Sequence, residues 1–290
     1  MGECVIGLNR RYNVEMRRSL RTLMALPVLT GALVVLPAQT RTPPKTAPPA
    51  APPVAQVPER AVPFAVGETL TYDVSWSSYL SAGTATLSVT DRRTLSATQS
   101  AYDIIGEVKP GSIVGKLYPF YYKAESFLDT RTLLPISASV YSDERGRTRT
   151  KTTTFSNQTS VDVEMKTATV VRERHAIATF SQDPLSAMYI LRVLAQNLAL
   201  KEGLAIPITD GGTNYSLKIR AITREPIKTG LGTLPALRVT PAFTDGQGRP
   251  ATARQLTLWI SDDARHLPLR FDAGLAVGSF RLTLSAVSPK

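Results

Sequence analysis

The chain has 290 residues, of which 43% are hydrophobic and 20% are charged. This composition is that of a globular protein, and the length is sufficient for one domain with a sizeable core. The formal net charge of +11 favours anionic partners, and the single cysteine, Cys4, excludes an intrachain disulfide and a thiolate metal site.

The first predicted element is an export signal. Residues 16–38 read MRRSLRTLMALPVLTGALVVLPA, in which a positively charged start precedes an apolar stretch, and this is the pattern of a secretory signal peptide. The apolar stretch, residues 23–36, is shorter than the roughly 20 residues that cross a bilayer, so we expect cleavage and no integral membrane protein afterwards. The Arg17-Arg18 pair leaves twin-arginine export open beside the general route. We expect a periplasmic protein that binds no nucleic acid, and we interpret residues 1–15 as an extension from an upstream start codon.

A proline-rich segment follows the signal. Residues 39–63 read QTRTPPKTAPPAAPPVAQVPERAVP, where repeated proline imposes extended geometry and large apolar side chains are too few to fold. We predict a disordered linker that tethers the domain of residues 64–290. The segment could instead recruit an envelope protein partner.

Alternation of apolar and polar side chains dominates residues 64–290. In the first run, Leu70, Tyr72, Val74 and Trp76 fall on one side, and the turn residues Ser81-Ala82-Gly83 predict a hairpin with the run that follows. The same alternation recurs in Ile136-Ala138-Val140, Val161-Val163-Met165, Tyr215-Leu217-Ile219, Leu256-Leu258-Ile260, Leu267-Leu269-Phe271 and Phe280-Leu282-Leu284. The pattern predicts a mostly β domain, either a large curved antiparallel sheet or an open β-barrel.

One predicted helix interrupts the strands. Asp183 is a good N-cap, Pro184 suits the first helical position, and residues 185–200 carry apolar side chains at helical spacing before Gly203. Because these apolar side chains surround most of the helix, we expect it to be buried against the sheet.

Candidate catalytic residues are few. The chain has two histidines, His175 and His266, and no Gly-x-Ser-x-Gly motif. His266 lies near Asp262 and Asp263, which is compatible with a metal or acid–base cluster or simply with a turn. His175 lies in a charged, exposed segment. Glu125 and Asp129 could form a glycosidase carboxylate pair or have structural roles.

Two glycine-rich segments lack the strand–loop–helix context of nucleotide sites. Asp210-Gly211-Gly212-Thr213 and Gly230-Leu231-Gly232-Thr233 are therefore predicted to be hairpin turns. We expect no catalytic residue, no metal site and no cofactor.

An aromatic stripe is the most suggestive feature for binding. In Tyr118-Pro119-Phe120-Tyr121-Tyr122 the side chains of Tyr118, Phe120 and Tyr122 share one face of a predicted strand, and Tyr121 points the other way. Aromatic rings offer a large apolar area with a polar tip, so the stripe could line an apolar ligand cavity. Ordinary core packing under the helix is the alternative.

Several blocks resemble the family called domain of unknown function 3108. They are, in chain order, Phe64-Ala65-Val66-Gly67-Glu68 with the first strand, Glu125-Ser126-Phe127-Leu128-Asp129, Asp183-Pro184-Leu185-Ser186-Ala187, Thr229-Gly230-Leu231-Gly232-Thr233, and Leu258-Trp259-Ile260-Ser261-Asp262-Asp263. The resemblance implies an exported bacterial protein with no assigned activity. The Trp259 strand, acidic turn and Leu267-Pro268 are also similar to outer-membrane lipoprotein carrier proteins, whose curved sheet and helical lid enclose an acyl chain.

These observations favour a non-catalytic periplasmic binding or scaffold module. The ligand would be a lipid or another apolar molecule held between the curved sheet and the helix. The alternatives are a structural envelope protein that binds partners without a small ligand, and an envelope hydrolase.

Overall fold

A computed structural model describes residues 58–77, 80–251, 255–275 and 278–288. The predicted upstream extension, the signal peptide and residues 39–57 of the predicted linker lie outside these ranges. The first eight strands are β1 (Thr69–Trp76), β2 (Leu80–Ser96), β3 (Gln99–Pro110), β4 (Phe120–Asp129), β5 (Pro135–Glu144), β6 (Arg147–Asn157), β7 (Ser160–Lys166) and β8 (Val170–Ala176). The remaining six are β9 (Ala205–Asp210), β10 (Thr213–Thr229), β11 (Gly232–Asp245), β12 (Gln255–Ser261), β13 (Pro268–Leu275) and β14 (Gly278–Ser288). Helix α1 (Ser112–Leu117) joins β3 to β4, and helix α2 (Pro184–Gln196) joins β8 to β9.

The strands form one antiparallel sheet in the order β8-β7-β6-β5-β4-β3-β2-β1-β14-β13-β12-β11-β10-β9. It consists of two meanders joined where β1 pairs with β14, and its two ends, β8 and β9, are not paired with each other. The register places apolar positions opposite one another, as in Leu70 beside Leu87 and Tyr72 beside Ala85, so the face toward α2 is continuously apolar across these strands. We call this the inner face. The predicted large antiparallel sheet is confirmed.

Helix α2 packs on the inner face and divides the core into two clusters. Ala187, Leu191 and Ala195 belong to a cluster built with β1, β2 and β9–β14. Leu185, Tyr189 and Val193 belong to a second cluster with β2, β3 and β4. The predicted buried helix is confirmed, although it ends at Gln196 and not at residue 200.

The start of α2 is fixed by its predicted cap. One oxygen of Asp183 accepts hydrogen bonds from the amides of Leu185 at 2.8 Å and Ser186 at 3.0 Å. The other oxygen accepts one from the Ser126 hydroxyl of β4 at 2.6 Å. Burial raises the pKa of the Asp183 carboxyl, and these hydrogen bonds oppose part of that effect. The cap therefore anchors α2 to the sheet as well as satisfying its first amides.

Arg192 is a fully buried cation in the middle of α2. Its guanidinium donates to both oxygens of Glu68, at 2.6 and 3.0 Å, and to the carbonyls of Pro63, Arg265 and His266 at 2.9 to 3.1 Å. A buried charge is tolerated when a paired carboxylate and further hydrogen bonds replace water. Arg192 thereby ties α2 to the segment before β1 and to the turn between β12 and β13.

The domain makes contacts earlier in the chain than the predicted boundary at residue 64. The Glu59 carboxylate accepts hydrogen bonds from Ser100 at 2.9 Å and Thr130 at 3.0 Å and pairs with Arg92. The amide of Arg60 donates to the Thr130 carbonyl at 3.0 Å. The last residues of the predicted linker are thus bound to the sheet, because their polar groups complement the β3 start and the β4–β5 turn.

The first hairpin forms, but its turn lies elsewhere than predicted. Trp76 pairs with Leu80, so Ser81-Ala82-Gly83 belong to β2. A Cβ at Gly83 would lie 2.0 Å from the carbonyl oxygen of Lys109. Glycine is therefore needed there because the end of β3 approaches closely. In the sequence this glycine looks like a turn residue, which explains the wrong position of the predicted turn.

Side chains connect the two free ends of the sheet. Lys151 of β6 forms an ion pair with Asp210 at the β9–β10 turn, and the Asn214 side-chain amide donates to the Ala176 carbonyl of β8 at 2.8 Å. The His175 ring lies against Gly212, where a Cβ would be 2.3 Å from the ring. Side-chain contacts therefore join the β9–β10 hairpin to β6 and β8, although β8 and β9 are not paired as strands.

Candidate functional site

The predicted aromatic residues lie together at the start of strand β4. Ring centroids are 6.3 Å apart between Tyr118 and Phe120 and 5.5 Å apart between Phe120 and Tyr122. We call these three residues the aromatic ladder. Phe120 and Tyr122 lie on the same face of β4 as the inner-face residue Ser126, because the three positions are an even number of residues apart. Tyr118 precedes the strand and is the C-cap of α1, so only two of the three occupy a strand face.

One carboxylate organises the polar tips of the ladder. The Tyr118 hydroxyl donates to Glu144 of β5 at 3.1 Å, and the Tyr122 hydroxyl donates to the other oxygen of the same carboxylate. These hydrogen bonds, that of Tyr122 first, lower the pKa of Glu144. Burial, followed by the bond to Glu144, raises the pKa of Tyr122. Near neutral pH the arrangement therefore pairs an ionised Glu144 carboxylate with a protonated Tyr122 phenol, which is suited to holding the ring in position.

The ladder continues into the exposed helix α1. This helix buries none of its residues, and its side chains of Ile113 and Leu117 are 68% and 75% exposed, while Tyr118 is 40% exposed. Residues four apart lie on the same side of a helix. The Arg145 guanidinium lies 4.4 Å from the centroid of the Tyr118 ring, a cation–π contact. The apolar surface of the ladder thus extends from the inner face to solvent.

The space between α2 and the sheet is occupied by the side chains of the two core clusters. A cleft of about 50 Å³ lies at the start of α2, lined by residues that include Lys151, Asp183, Thr209 and Asp210. Sites for drug-sized apolar ligands have volumes of about 300–1,000 Å³. This cleft at the start of α2 is therefore too small for an acyl chain.

His266 and the two aspartates near it lie in the turn between β12 and β13. Asp263 accepts hydrogen bonds from the Ser261 hydroxyl at 2.7 Å and the Arg265 amide at 3.1 Å, and Asp262 pairs with Arg224 at 2.9 Å. The carbonyl of His266 accepts a hydrogen bond from the Arg192 guanidinium. These residues shape a turn, because each carboxylate is engaged by turn groups or by a neighbouring arginine.

The other candidates also have structural partners. His175 of β8 lies 3.1 Å from Glu173, and Asp129 accepts bonds from the amides of Arg131 and Thr132 at 2.9 and 2.8 Å in the β4–β5 turn. Both glycine segments are hairpin turns: Asp210 pairs with Thr213, and Thr229 pairs with Gly232. The structure does not bring Glu125 and Asp129 to a common cleft.

Within the described ranges, no group of three or more His, Cys, Asp or Glu side chains is arranged to hold a metal ion. The helices of the same ranges are too short or too polar to cross a membrane.

The sequence did not reveal α1, Glu144 or Arg145 as parts of the candidate site. A weak signal for the helix exists, since Ile113 and Leu117 lie four residues apart between Gly111 and Pro119. No local signal marks Glu144, because it meets the ladder only through the pairing of Phe120 with Glu144 between β4 and β5.

Three solved structures are similar to the chain. A β-barrel-like protein of domain of unknown function DUF1849 from Brucella abortus has 10% identity and a TM-score of 0.47, with 77% of this chain and 97% of that chain covered. A candidate lipoprotein from Parabacteroides distasonis has 8% identity and a TM-score of 0.29, with coverages of 78% and 98%. A candidate exported protein with a YmcC-like fold from Bacteroides fragilis has 8% identity and a TM-score of 0.27, with coverages of 79% and 98%.

No curated protein matches the sequence at a significant level. The sequence of residues 71–285, most of the described domain, matches the model of a family described as protein of unknown function. This is the family that the sequence blocks resemble. The chain belongs to the DUF3108 family.

Proposed function

We propose that this protein is exported to the periplasm and is a non-catalytic module that binds a lipid acyl chain on the aromatic ladder. The observation that carries the proposal is the series of three rings, Tyr118, Phe120 and Tyr122, that leads from the inner face to an exposed apolar helix. Export rests on the signal-peptide pattern of residues 16–38.

The geometry of the ladder supports an apolar chain as the ligand. Because Tyr118 and Tyr122 both direct their hydroxyls to Glu144, their polar tips are satisfied and their ring faces remain available for apolar contact. Phe120 lies between them without any polar atom. An acyl chain is long, narrow and flexible, so it can follow a row of rings that a compact apolar ligand would contact only in part.

The structural roles of three carboxylates favour binding without catalysis. Asp183 caps α2 and Asp129 caps the β4–β5 turn, while Glu144 holds two phenols. A general acid or base must reach its substrate with a free oxygen. Carboxylates that serve as caps or ring anchors are engaged in the folded protein, which favours structural roles for them.

Titration with a fluorescently labelled palmitate tests the proposal. Replacing Phe120 and Tyr122 by Ala removes two rings and is expected to weaken binding at least about tenfold, since each buried aromatic side chain contributes roughly 1.5–3 kcal/mol. The control is Tyr121→Ala, which removes a ring from the opposite face of β4 and is expected to leave the affinity unchanged. The proposal is wrong if the native protein does not bind the probe, or if the double variant binds it as well as the native protein.

A second candidate function is a structural role without a small ligand, and the free strand β8 favours it. β8 pairs only with β7 in the described sheet, and its Val170 and Val171 are half exposed. An unpaired edge can accept a strand from a partner. Crosslinking from residue 171 in cells tests this candidate: capture of one reproducible partner supports it, and the monomer alone contradicts it.

A further inference from the structure

Six of the eleven large apolar side chains that are exposed in the described part of the chain lie at the end of the strands that carries α1. In an antiparallel meander alternate connections lie at the same end, so the β1–β2, β3–β4, β5–β6 and β7–β8 connections are all found there. The large apolar residues exposed at this end are Trp76, Ile113, Leu117, Tyr118, Val170 and Val171. Single exposed apolar residues are common on proteins, but a concentration at one end marks an interaction surface.

Basic side chains accompany the apolar ones around α1. Lys116 lies on the helix, Arg145 lies in the β5–β6 turn and stacks on Tyr118, and Arg147 is the first residue of β6, opposite Glu144. Within the part of the chain that the structure describes, none of the three has a carboxylate within 4.0 Å of its charged nitrogens. We call Ile113, Lys116, Leu117, Tyr118, Arg145 and Arg147 the α1 rim.

The outer face of β7 and β8 shows that unpaired arginines are not the rule in this sheet. There Arg172 pairs with Glu164 at 2.7 Å and Arg174 pairs with Asp162 at 2.6 Å. Each of those arginines of β8 is thus paired with a carboxylate of the neighbouring strand β7. The α1 rim combines three basic side chains with exposed apolar area, and this combination is complementary to a surface that is both anionic and apolar beneath its charged layer.

We propose that the α1 rim docks the protein on an anionic phospholipid bilayer. Ile113 and Leu117 insert at the boundary between headgroups and acyl chains, Tyr118 lies at the same depth with its hydroxyl toward Glu144, and the three basic side chains contact lipid phosphates. The six residues of α1 span about 9 Å, so insertion is shallow and reversible. Docking goes beyond acyl-chain binding on the ladder and does not depend on it.

Cosedimentation with vesicles tests the docking surface. The native protein is expected to bind vesicles that contain phosphatidylglycerol, to bind pure phosphatidylcholine vesicles at least about tenfold more weakly, and to be released from the anionic vesicles at about 0.5 M NaCl. Equal binding to both vesicles would overturn electrostatic recognition by the rim. Absence of binding to either would overturn docking altogether.

Variants of exposed residues locate the surface without disturbing the core. Ile113→Asp with Leu117→Asp is expected to reduce vesicle binding more than tenfold, and Lys116→Glu with Arg147→Glu about tenfold. The controls are single substitutions of the same two kinds elsewhere. They are Leu198→Asp, at a side chain that is 90% exposed after α2, and Lys228→Glu, near the end of β10. Equal losses in the controls and the rim variants would overturn the assignment of the surface.

The two proposals fail separately. A protein that docks without binding acyl chains keeps vesicle binding in the Phe120→Ala, Tyr122→Ala variant and shows no titration with labelled palmitate. A protein that binds acyl chains without docking titrates with labelled palmitate and stays in the supernatant with anionic vesicles. The second result overturns the α1 rim as a docking surface and leaves the ladder as a site.

Discussion

The two helices have opposite relations to the same sheet. Helix α2 starts at a side-chain cap, buries eight of its residues and contacts strands of both meanders. Helix α1 has no side-chain cap and buries none of its residues. Both carry large apolar side chains, so apolarity alone does not distinguish a core element from a contact surface. What differs is whether the chain supplies a partner surface opposite the apolar side.

The largest expected effect is at the centre of α2. Arg192→Ala removes a fully buried cation and leaves its partners, Glu68 and three carbonyls, without their shared donor, and we expect a loss of about 3–5 kcal/mol in the free energy of unfolding. Urea denaturation followed by tryptophan fluorescence measures it. The double variant Glu68→Gln, Arg192→Met removes both charges and is expected to cost less than Arg192→Ala. A larger cost for the double variant would mean that the side chain acts through packing and not through charge.

The next largest effect is expected at the side-chain closure of the sheet. Gly212 has a φ of 86°, and a Cβ there would meet the His175 ring. Gly212→Ala is expected to cost about 2 kcal/mol, since the left-handed backbone and the contact both oppose the methyl group. Gly146→Ala is the matched control, because Gly146 has a similar φ of 81° and open space around its Cβ position. Equal costs in urea denaturation would show that the β9–β10 turn is not packed on His175.

A smaller, pH-dependent effect is expected at the cap of α2. Burial raises the pKa of Asp183 above its ordinary value of 3.8, so the native state keeps this proton at pH values where the unfolded chain releases it. The contribution of Asp183 to stability is therefore complete below 3.8 and declines as pH rises through the raised value. Asp183→Asn does not titrate and is expected to change stability by about 1 kcal/mol.

Urea denaturation across acidic to neutral pH checks the sign of that effect. The stability of the native protein relative to Asp183→Asn should fall as pH rises. A relative stability that rises with pH would show that hydrogen bonds from Ser126, Leu185 and Ser186 outweigh burial and lower the pKa of this carboxyl.

The smallest effect is expected at α1. Ile113→Ser with Leu117→Ser should leave the free energy of unfolding within about 0.5 kcal/mol of the native value, because neither side chain is buried. The matched change on α2, Leu191→Ala, should cost about 2–5 kcal/mol. A loss above about 1 kcal/mol at α1 would mean that the helix packs on the sheet and is not a free contact surface.

Elements with a local signal were predicted well. The cap, proline and apolar spacing at Asp183-Pro184 gave α2 and its burial, and alternation gave β1, β2, β5, β7, β10, β12, β13 and β14. The core strands β3, β9 and β11 were not predicted. β6 was missed because RTRTKTTTFSN carries one large apolar residue, Phe155, and therefore shows no apolar alternation. On its inner face Phe155 packs against a small apolar cluster, and Lys151 pairs with Asp210. α1 was missed because six residues are too few for a periodic pattern to be distinguished from a loop.

The candidate site was predicted only in part, for a similar reason. The ladder residues Tyr118, Phe120 and Tyr122 are adjacent in sequence, so their stripe is visible there. Glu144, which orients two of them, lies on another strand and is brought to them by the β4–β5 register. The sequence carries no local signal for the role of Arg192, since its partners Pro63, Glu68, Arg265 and His266 lie more than seventy residues away.

The amino-acid sequence by itself determined the fold class and the place of the long helix, because alternation, capping and helical periodicity act within a few residues. Only the tertiary structure decided which apolar surfaces are covered. Burial depends on what lies opposite: α2 faces strands from both meanders and α1 faces solvent. The fate of a charged or aromatic side chain likewise depends on the register between strands, which local spacing does not contain.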